Sequence, residues 1–277
     1  HDGSWLWGAV GAPHALCRGL GMGPPCMGGD LPKVLYEAHN KPLLRWVVDS
    51  LQSAGIRDQI VVVGYQAEMV KKTVGGLPGI SFAVQHEQRG TGDAVAAAAD
   101  ALRHIMAGDS DACRRPVIIV CGDSPMLRPE SIVSLLTQFY SREYACLLGT
   151  AVADNPTGLG RIIRDKQGHF LKIVEEKDAT DAERGICEVN MSTYVFEAQC
   201  LLNAITQLRP DNAAGEYYVT DCPGMLLEDG KLVDAVPCLD QSEALSVNTP
   251  EQLEIVATAL KKLASSFDYK NALKNKR

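Results

Sequence analysis

The sequence predicts an α/β protein built on a doubly wound, largely parallel sheet with helices on both faces. Three observations carry that prediction: short continuous apolar runs such as Gln59 to Gly64 and Pro116 to Val120, helix-forming stretches between them, and glycine- or proline-bearing turns at the junctions. A run apolar at every position belongs to a strand covered on both sides, and its regular alternation with helices argues for crossover connections. In such sheets ligands sit at the carboxyl ends of the strands.

Leu43, Leu44, Trp46, Val47, Val48 and Leu51 recur at helical spacing after Asn40-Lys41-Pro42, and Ala54-Gly55 ends that helix. Gln59 to Gly64 is the first buried strand, followed by a helix over 66–74 and the strand Ile80 to Val84. A helix from Ala94 to about Met106 leads to the strand 116–120, a helix over 130–140 and a strand over 145–152. The second half mixes shorter pieces. Arg161 to Ile163 and Phe170 to Val174 flank a hairpin turn at Gln167-Gly168, Cys187 to Phe196 is a strand, and Leu232 to Val236 is another. Ser246 to Glu251 opens the last long helix, with Thr249 or Asn248 as its N-cap and Pro250 in its first turn.

Composition limits the function classes. The chain has 277 residues, 46% apolar and 22% charged, enough for a full α/β core, and its formal charge of −7 argues against nucleic-acid or anionic-membrane binding. A small-molecule partner is expected. Nine cysteines are scattered without zinc spacing and read as reduced thiols of a cytoplasmic protein. No transmembrane run, signal peptide or internal repeat is found.

Two stretches carry chemistry. Gln85-His86-Glu87-Gln88-Arg89-Gly90-Thr91-Gly92-Asp93-Ala94 joins a strand to a helix, a junction whose unpaired N–H groups and helix dipole suit a nucleotide. Glutamine amides beside it can donate and accept, as reading a base edge requires. Asp123 follows the strand 116–120 and is braced by Gly122 and Pro125. A carboxylate there is a candidate magnesium ligand, and equally a turn or N-cap aspartate.

Seven motifs then form a pattern: Leu31-Pro32-Lys33-Val34-Leu35, Gln85-x-Glu87-Gln88-x-Gly90-Thr91-Gly92, Gly122-Asp123-x-Pro125, Pro156-Thr157-Gly158-x-Gly160-Arg161-Ile162, Glu175-x-Lys177-Asp178-Ala179-Thr180, Gly215-Glu216-Tyr217-Tyr218-x-Thr220-Asp221 and Val247-Asn248. Together, and in this order, they resemble the uridyltransferase domain of the bacterial bifunctional N-acetylglucosamine-1-phosphate uridyltransferase / glucosamine-1-phosphate acetyltransferase. The resemblance implies a Rossmann-like nucleotide-diphospho-sugar transferase fold. It also implies a Mg²⁺-dependent reaction of UTP with N-acetylglucosamine 1-phosphate, giving UDP-N-acetylglucosamine, a cell-wall precursor, and pyrophosphate. Carried over by position, Lys33 would bind phosphates and act with Asp123 in catalysis, while Gln85, Gly90 and Thr91 would hold the uracil. Asp123 and Asn248 would hold magnesium, and Gly160, Glu175 and Asn190 would bind the sugar. A related nucleotidyltransferase with another sugar 1-phosphate or nucleotide, and a non-catalytic nucleotide- or sugar-binding homologue, are the alternatives.

The chain departs from that pattern at its start. Residues 1–29 hold eight glycines and three prolines, fit neither structural period, and put Gly21 to Asp30 where the family has a glycine-rich phosphate loop with an Arg. Two prolines there remove N–H donors. The segment therefore reads as disordered or as a non-native start, with the first strand missing, followed by a nucleotidyltransferase domain over 30–262 and a basic tail over 263–277. Met191-Ser192 stands where the family has Thr-Gly. The family's acetyltransferase β-helix is absent, so no trimer built on it is expected.

Overall fold

A computed structural model describes residues 7–11, 31–107, 115–245, 247 and 249–274, with backbone alone for 7–11 and 264–274. Strands β1 (Trp7–Gly11), β4 (Asp58–Val63), β5 (Ile80–Val84), β6 (Pro116–Cys121), β7 (Cys146–Val152), β10 (Glu188–Glu197) and β11 (Val233–Val236) form one sheet in the order β11-β7-β10-β6-β1-β4-β5. Only β10 runs against its neighbours on this path; the other six point the same way. The hairpin β8 (Arg161–Arg164) and β9 (Phe170–Val174) attaches through β8 to β10, turning at Gly168 with φ +88°. The expected doubly wound α/β class is what the structure has.

The both-sides burial read from the apolar runs follows the strand period. Ile60, Val62, Val117 and Ile119 pack on one face with α3 (Thr91–Ala97), α4 (Ala99–Met106), α7 (Ala198–Ile205) and α8 (Cys222–Glu228). Val61, Val63, Ile118 and Val120 pack on the other with α1 (Leu43–Ser53), α2 (Ala67–Val74) and α5 (Pro129–Phe139). Each such aliphatic contributes about 1.5–3 kcal/mol of burial free energy. A third cluster joins a small hairpin, β2 (Glu37–Ala38) with β3 (Lys41–Pro42), to α9 (Pro250–Lys274).

Three expectations are corrected. The first strand is present: β1 lies at the sheet centre, Gly8 to Gly11 registering with Gln59 to Val62 on one side and Ile118 to Cys121 on the other. Its Trp-Gly-Ala-Val-Gly sequence has weak strand propensity, but both flanking strands offer edge N–H and C=O groups that need partners. The helix expected from Ala94 begins at Thr91 and breaks at Ala98 into α3 and α4. The backbone of α9 continues helically to Lys274, through residues expected as a tail, because nothing after Pro250 is glycine or proline. Thr249 is the α9 cap: Gln252 N–H donates to its hydroxyl at 3.2 Å and Thr249 N–H donates to the Gln252 side chain at 3.1 Å.

Candidate functional site

Because β10 is reversed, its first half lies at the same edge of the sheet as the carboxyl ends of β4, β5, β6 and β7. A cavity of about 410 Å³ opens there, within the range of small-molecule sites. Gln85, Gly90, Thr91, Asp123, Gly160, Glu175 and Asn190 all line it. Lys33 reaches it through an ion pair with Asp123. Asn248, the second expected metal ligand, lies outside the described residues.

The loop after β5 is held by backbone. Gly90 has φ +116°, and a Cβ there would fall 2.4 Å from the Tyr217 carbonyl oxygen, so only glycine permits the approach. Gly92 N–H donates to Tyr217 O at 2.8 Å, and Tyr217 N–H donates to Arg89 O at 2.8 Å. Val219 N–H donates to the Thr91 hydroxyl at 3.1 Å. Two motifs that meet across 128 residues at Thr91 and Val219 are thus one structure, and Thr91 contributes to the joint.

Gln85 is more constrained than its residue type suggests. Its Nε2 donates to Gly90 O at 3.2 Å and to Asp93 Oδ2 at 2.8 Å, which uses both amide protons. Asp93 can only accept, so the orientation of the amide is fixed. Oε1 has no partner among the described residues, so there Gln85 presents an acceptor.

At the centre, Asp123 follows β6 and Lys33 sits in a short 3₁₀ turn after Pro32. Lys33 Nζ is 2.5 Å from Asp123 Oδ2, with side chains 15% and 5% exposed. Burial and then the Asp123 charge push the nearby Cys121 thiol up to about 12, so it is no nucleophile at neutral pH. Asp123 supplies a hard oxygen donor in a cavity able to admit phosphates, which fits magnesium's habit of taking one or two carboxylates and completing its shell with phosphate and water. Among the described residues no cluster of three or more His, Cys, Asp or Glu could hold a metal by itself.

On the far side, Gly160 O accepts Asn190 N–H at 2.8 Å, and a Cβ on Gly160 would come 3.4 Å from Asn190 Cβ and 3.5 Å from Glu175 Oε1. Burial pushes the Glu175 carboxyl above its usual range; Thr220 donates to it and partly offsets this, while Asp178 and Asp221 reinforce it. Asn190 Nδ2 donates to Tyr194 Oη at 2.7 Å.

Arg161 carries no role in the sequence reading beyond its motif, yet it latches this side. Its guanidinium, 1% exposed, pairs with Glu176 at 2.8 Å and donates to the carbonyls of Leu159 and Arg184. Glu176 in turn accepts Gly158 N–H at 3.0 Å. An Arg beside a Glu-rich loop was the available signal. The charge cluster 175–180 is therefore tied down through Glu176, which pairs with Arg161 and Arg184, and Thr180 caps a short helix α6 (Asp181–Arg184).

Among the described residues no helix is long and apolar enough to cross a membrane. The model of the MobA-like NTP transferase domain matches residues 26–213. The chain is similar to the bifunctional protein GlmU of Geobacter metallireducens, 40% identical over 227 residues that cover 82% of this chain and 46% of that protein. It is also similar to the GlmU of Brevibacillus brevis, 36% identical over 260 residues that cover 94% of this chain and 54% of that one. The chain thus spans about half the length of these curated relatives. Among solved structures, a Bacillus anthracis protein described as a glucose-1-phosphate thymidylyltransferase, crystallised with a sucrose, superposes with a TM-score of 0.65 at 16% identity, covering 92% of this chain and 94% of that chain. That likeness speaks to the fold, a nucleotidyltransferase α/β sheet. The family match runs through β4, β5, β6, β7 and β10, the strands that build the cavity edge, and the chain belongs to the MobA-like NTP transferase domain family.

Proposed function

We propose that the chain is a sugar-1-phosphate uridyltransferase, using UTP and N-acetylglucosamine 1-phosphate with Mg²⁺ and releasing pyrophosphate. The observation that carries this reading is an order in space. Along the sheet edge the candidate base-facing residues follow β5, the Lys33–Asp123 pair lies where β6 ends, and of the candidate sugar-facing residues Asn190 is on β10 while Gly160 and Glu175 flank the β8–β9 hairpin that joins β10 through β8. Base, phosphates and sugar follow one another in the same order in a nucleotide sugar.

The chemistry needs little from side chains. A phosphate oxygen of the sugar 1-phosphate attacks the α-phosphorus of UTP, the bond from that phosphorus to the bridging oxygen breaks, and pyrophosphate departs with the electron pair. The nucleophile is already anionic, so no general base is required; alignment and charge neutralisation are. Gln85 Oε1 accepts from a base that carries N–H where it faces, as uracil does at N3 and cytosine does not. Lys33 contributes a fixed positive charge to the phosphates. Glu175 accepts from sugar hydroxyls, Asn190 donates to a sugar oxygen, and Gly160 leaves the room a side chain would fill. Magnesium, held by Asp123 and by Asn248, would supply Lewis-acid neutralisation of the phosphates.

Met191 and Ser192 line the same cavity, so within this chemistry a different sugar 1-phosphate is the second reading. Pyrophosphate release is measured with UTP, Mg²⁺ and a panel of sugar 1-phosphates. The reading expects N-acetylglucosamine 1-phosphate to give the highest kcat/KM. A higher value for another sugar selects the second reading, and no release with any sugar sinks both.

A further inference from the structure

Asn190 and Thr193 of β10 pair with Thr150 and Gly149 of β7, which are adjacent, so Met191 and Ser192 have no partner on that strand. This is a bulge, a device that re-aims side chains beside sites. Among the described residues, four non-glycine residues adopt the left-handed conformation; His39 and Asn40 lie in a hairpin turn and Gln66 at a helix start. Ser192, at φ +49°, is the one inside a strand. A side chain is strained there, and glycine, which the family pattern has at this position, would not be.

That conformation turns the Ser192 N–H back onto Asn190 Oδ1, 3.1 Å away. Asn190 Nδ2 gives one proton to Tyr194 Oη at 2.7 Å. The Ser192 side chain stands beside the Tyr194 phenol and the Cys121 thiol, so its hydroxyl is the group on hand for the phenol proton that Tyr194 has left to give. Each end of the Asn190 amide is engaged, and a flip would place Oδ1 against the phenol oxygen and Nδ2 against an N–H. Among the described residues the second amide N–H has no partner and is left for the cavity.

We infer that Ser192 is a positioning and specificity-determining residue: its left-handed backbone and its hydroxyl lock the Asn190 amide as a donor, so the bound sugar is selected for an acceptor oxygen at that point. The assignment rests on the sugar 1-phosphate reading above. It gives the bulge and the departure from glycine a purpose: an amide free to flip would accept or donate indifferently, whereas a locked one discriminates.

The test compares Ser192→Gly, Ser192→Ala and Ser192→Val in the full chain. Glycine keeps the left-handed backbone and loses the hydroxyl, alanine loses the hydroxyl alone, and valine drives the backbone out of the left-handed region. The expected result is a KM for N-acetylglucosamine 1-phosphate raised about 2- to 10-fold in the glycine and alanine variants, the worth of one hydrogen bond, and further in the valine variant. The KM for UTP and kcat stay within about twofold, since a ground-state contact to the sugar alone is weakened. Unchanged sugar KM, or a joint loss in kcat and both KM values, overturns the inference while leaving the uridyltransferase reading in place. If the valine variant does not fold, the glycine and alanine variants decide. If the unsubstituted chain releases no pyrophosphate, the functional reading fails and calorimetric titration with N-acetylglucosamine 1-phosphate decides the inference: weaker binding in the variants supports it, and equal binding or no binding overturns it.

Discussion

Lys33 Nζ stands 2.5 Å from Asp123 Oδ2, and both side chains are largely enclosed. A charge pair in this setting stabilises only while both members remain, because removing one leaves the other desolvated without compensation. Asp123→Ala is therefore expected to lower unfolding free energy by about 1–3 kcal/mol in urea denaturation and to reduce kcat by at least about a hundredfold. The same variant separates metal binding from folding. Magnesium at ten times its Kd should stabilise the unsubstituted chain by about 1.4 kcal/mol, from RT ln(1 + [Mg²⁺]/Kd), and leave Asp123→Ala unmoved. Equal stabilisation of the two would place magnesium elsewhere.

Gly90→Ala is expected to be among the most damaging single-methyl changes in the molecule. The added Cβ falls 2.4 Å from Tyr217 O and 2.9 Å from Tyr217 N, both backbone atoms, at φ +116°. Separating the two loops also breaks the Gly92–Tyr217 hydrogen bond. A loss of about 2–4 kcal/mol in thermal or urea unfolding follows, and an effect below about 1 kcal/mol would mean that the loops are not zipped as described.

These examples mark what the residues disclose and what they hide. The four β-branched residues of β4 and the run of β6 announce buried strands because hydrophobicity at every position has few other meanings. β1 gives no such sign, since Trp7-Gly-Ala-Val-Gly11 owes its place to the gap between two strands. The helix α7 is buried at six of eight positions, so its polar face is only Gln199 and Asn203, too narrow a stripe over two turns to make a helical period visible. Of the candidate site residues, Gln85 in its glycine turn and Asp123 stood out by type and the sugar-side residues only through the resemblance; the cavity gathers seven of the candidates. Their polar bookkeeping was not legible. That the amide protons of Gln85 are spent on Gly90 and Asp93, that Thr91 receives Val219, and that Arg161 holds the 158–160 loop depend on pairings across 100 residues or on local folding that no motif spells out.

Glu175 links pH to stability. Burial holds its carboxyl above the usual range, helped by Asp178 and Asp221. A raised carboxylate means that the folded chain binds the proton more tightly than the unfolded chain does, so this contribution is full below the unfolded value near 4.3 and is lost as pH rises through the folded value. Glu175→Gln is expected to unfold at a higher urea concentration than the unsubstituted chain at pH 8, with the gap closing toward pH 4. The same change should weaken sugar 1-phosphate binding. A gap that widened on acidification would reverse the assignment.

Comparison of Ser192→Gly with Ser192→Ala isolates backbone strain, since neither has the hydroxyl. At φ +49° the glycine variant should be the more stable by about 0.5–1 kcal/mol. Alanine as stable as glycine would mean that residue 192 relaxes out of the left-handed region, and the lock on Asn190 with it.

On the proposed reading, the Gln85 acceptor sets the base preference. UTP should exceed CTP in kcat/KM by about a hundredfold or more, because cytosine would set a lone pair against Oε1 and leave both unpaired. The most direct measurement of the central claim is pyrophosphate release by the chain with UTP, N-acetylglucosamine 1-phosphate and Mg²⁺, read beside Asp123→Ala and with CTP in place of UTP. The account predicts turnover that Asp123→Ala lowers by about a hundredfold or more and that CTP supports about a hundredfold less well or worse. Equal rates with CTP, or turnover undiminished in Asp123→Ala, would contradict it.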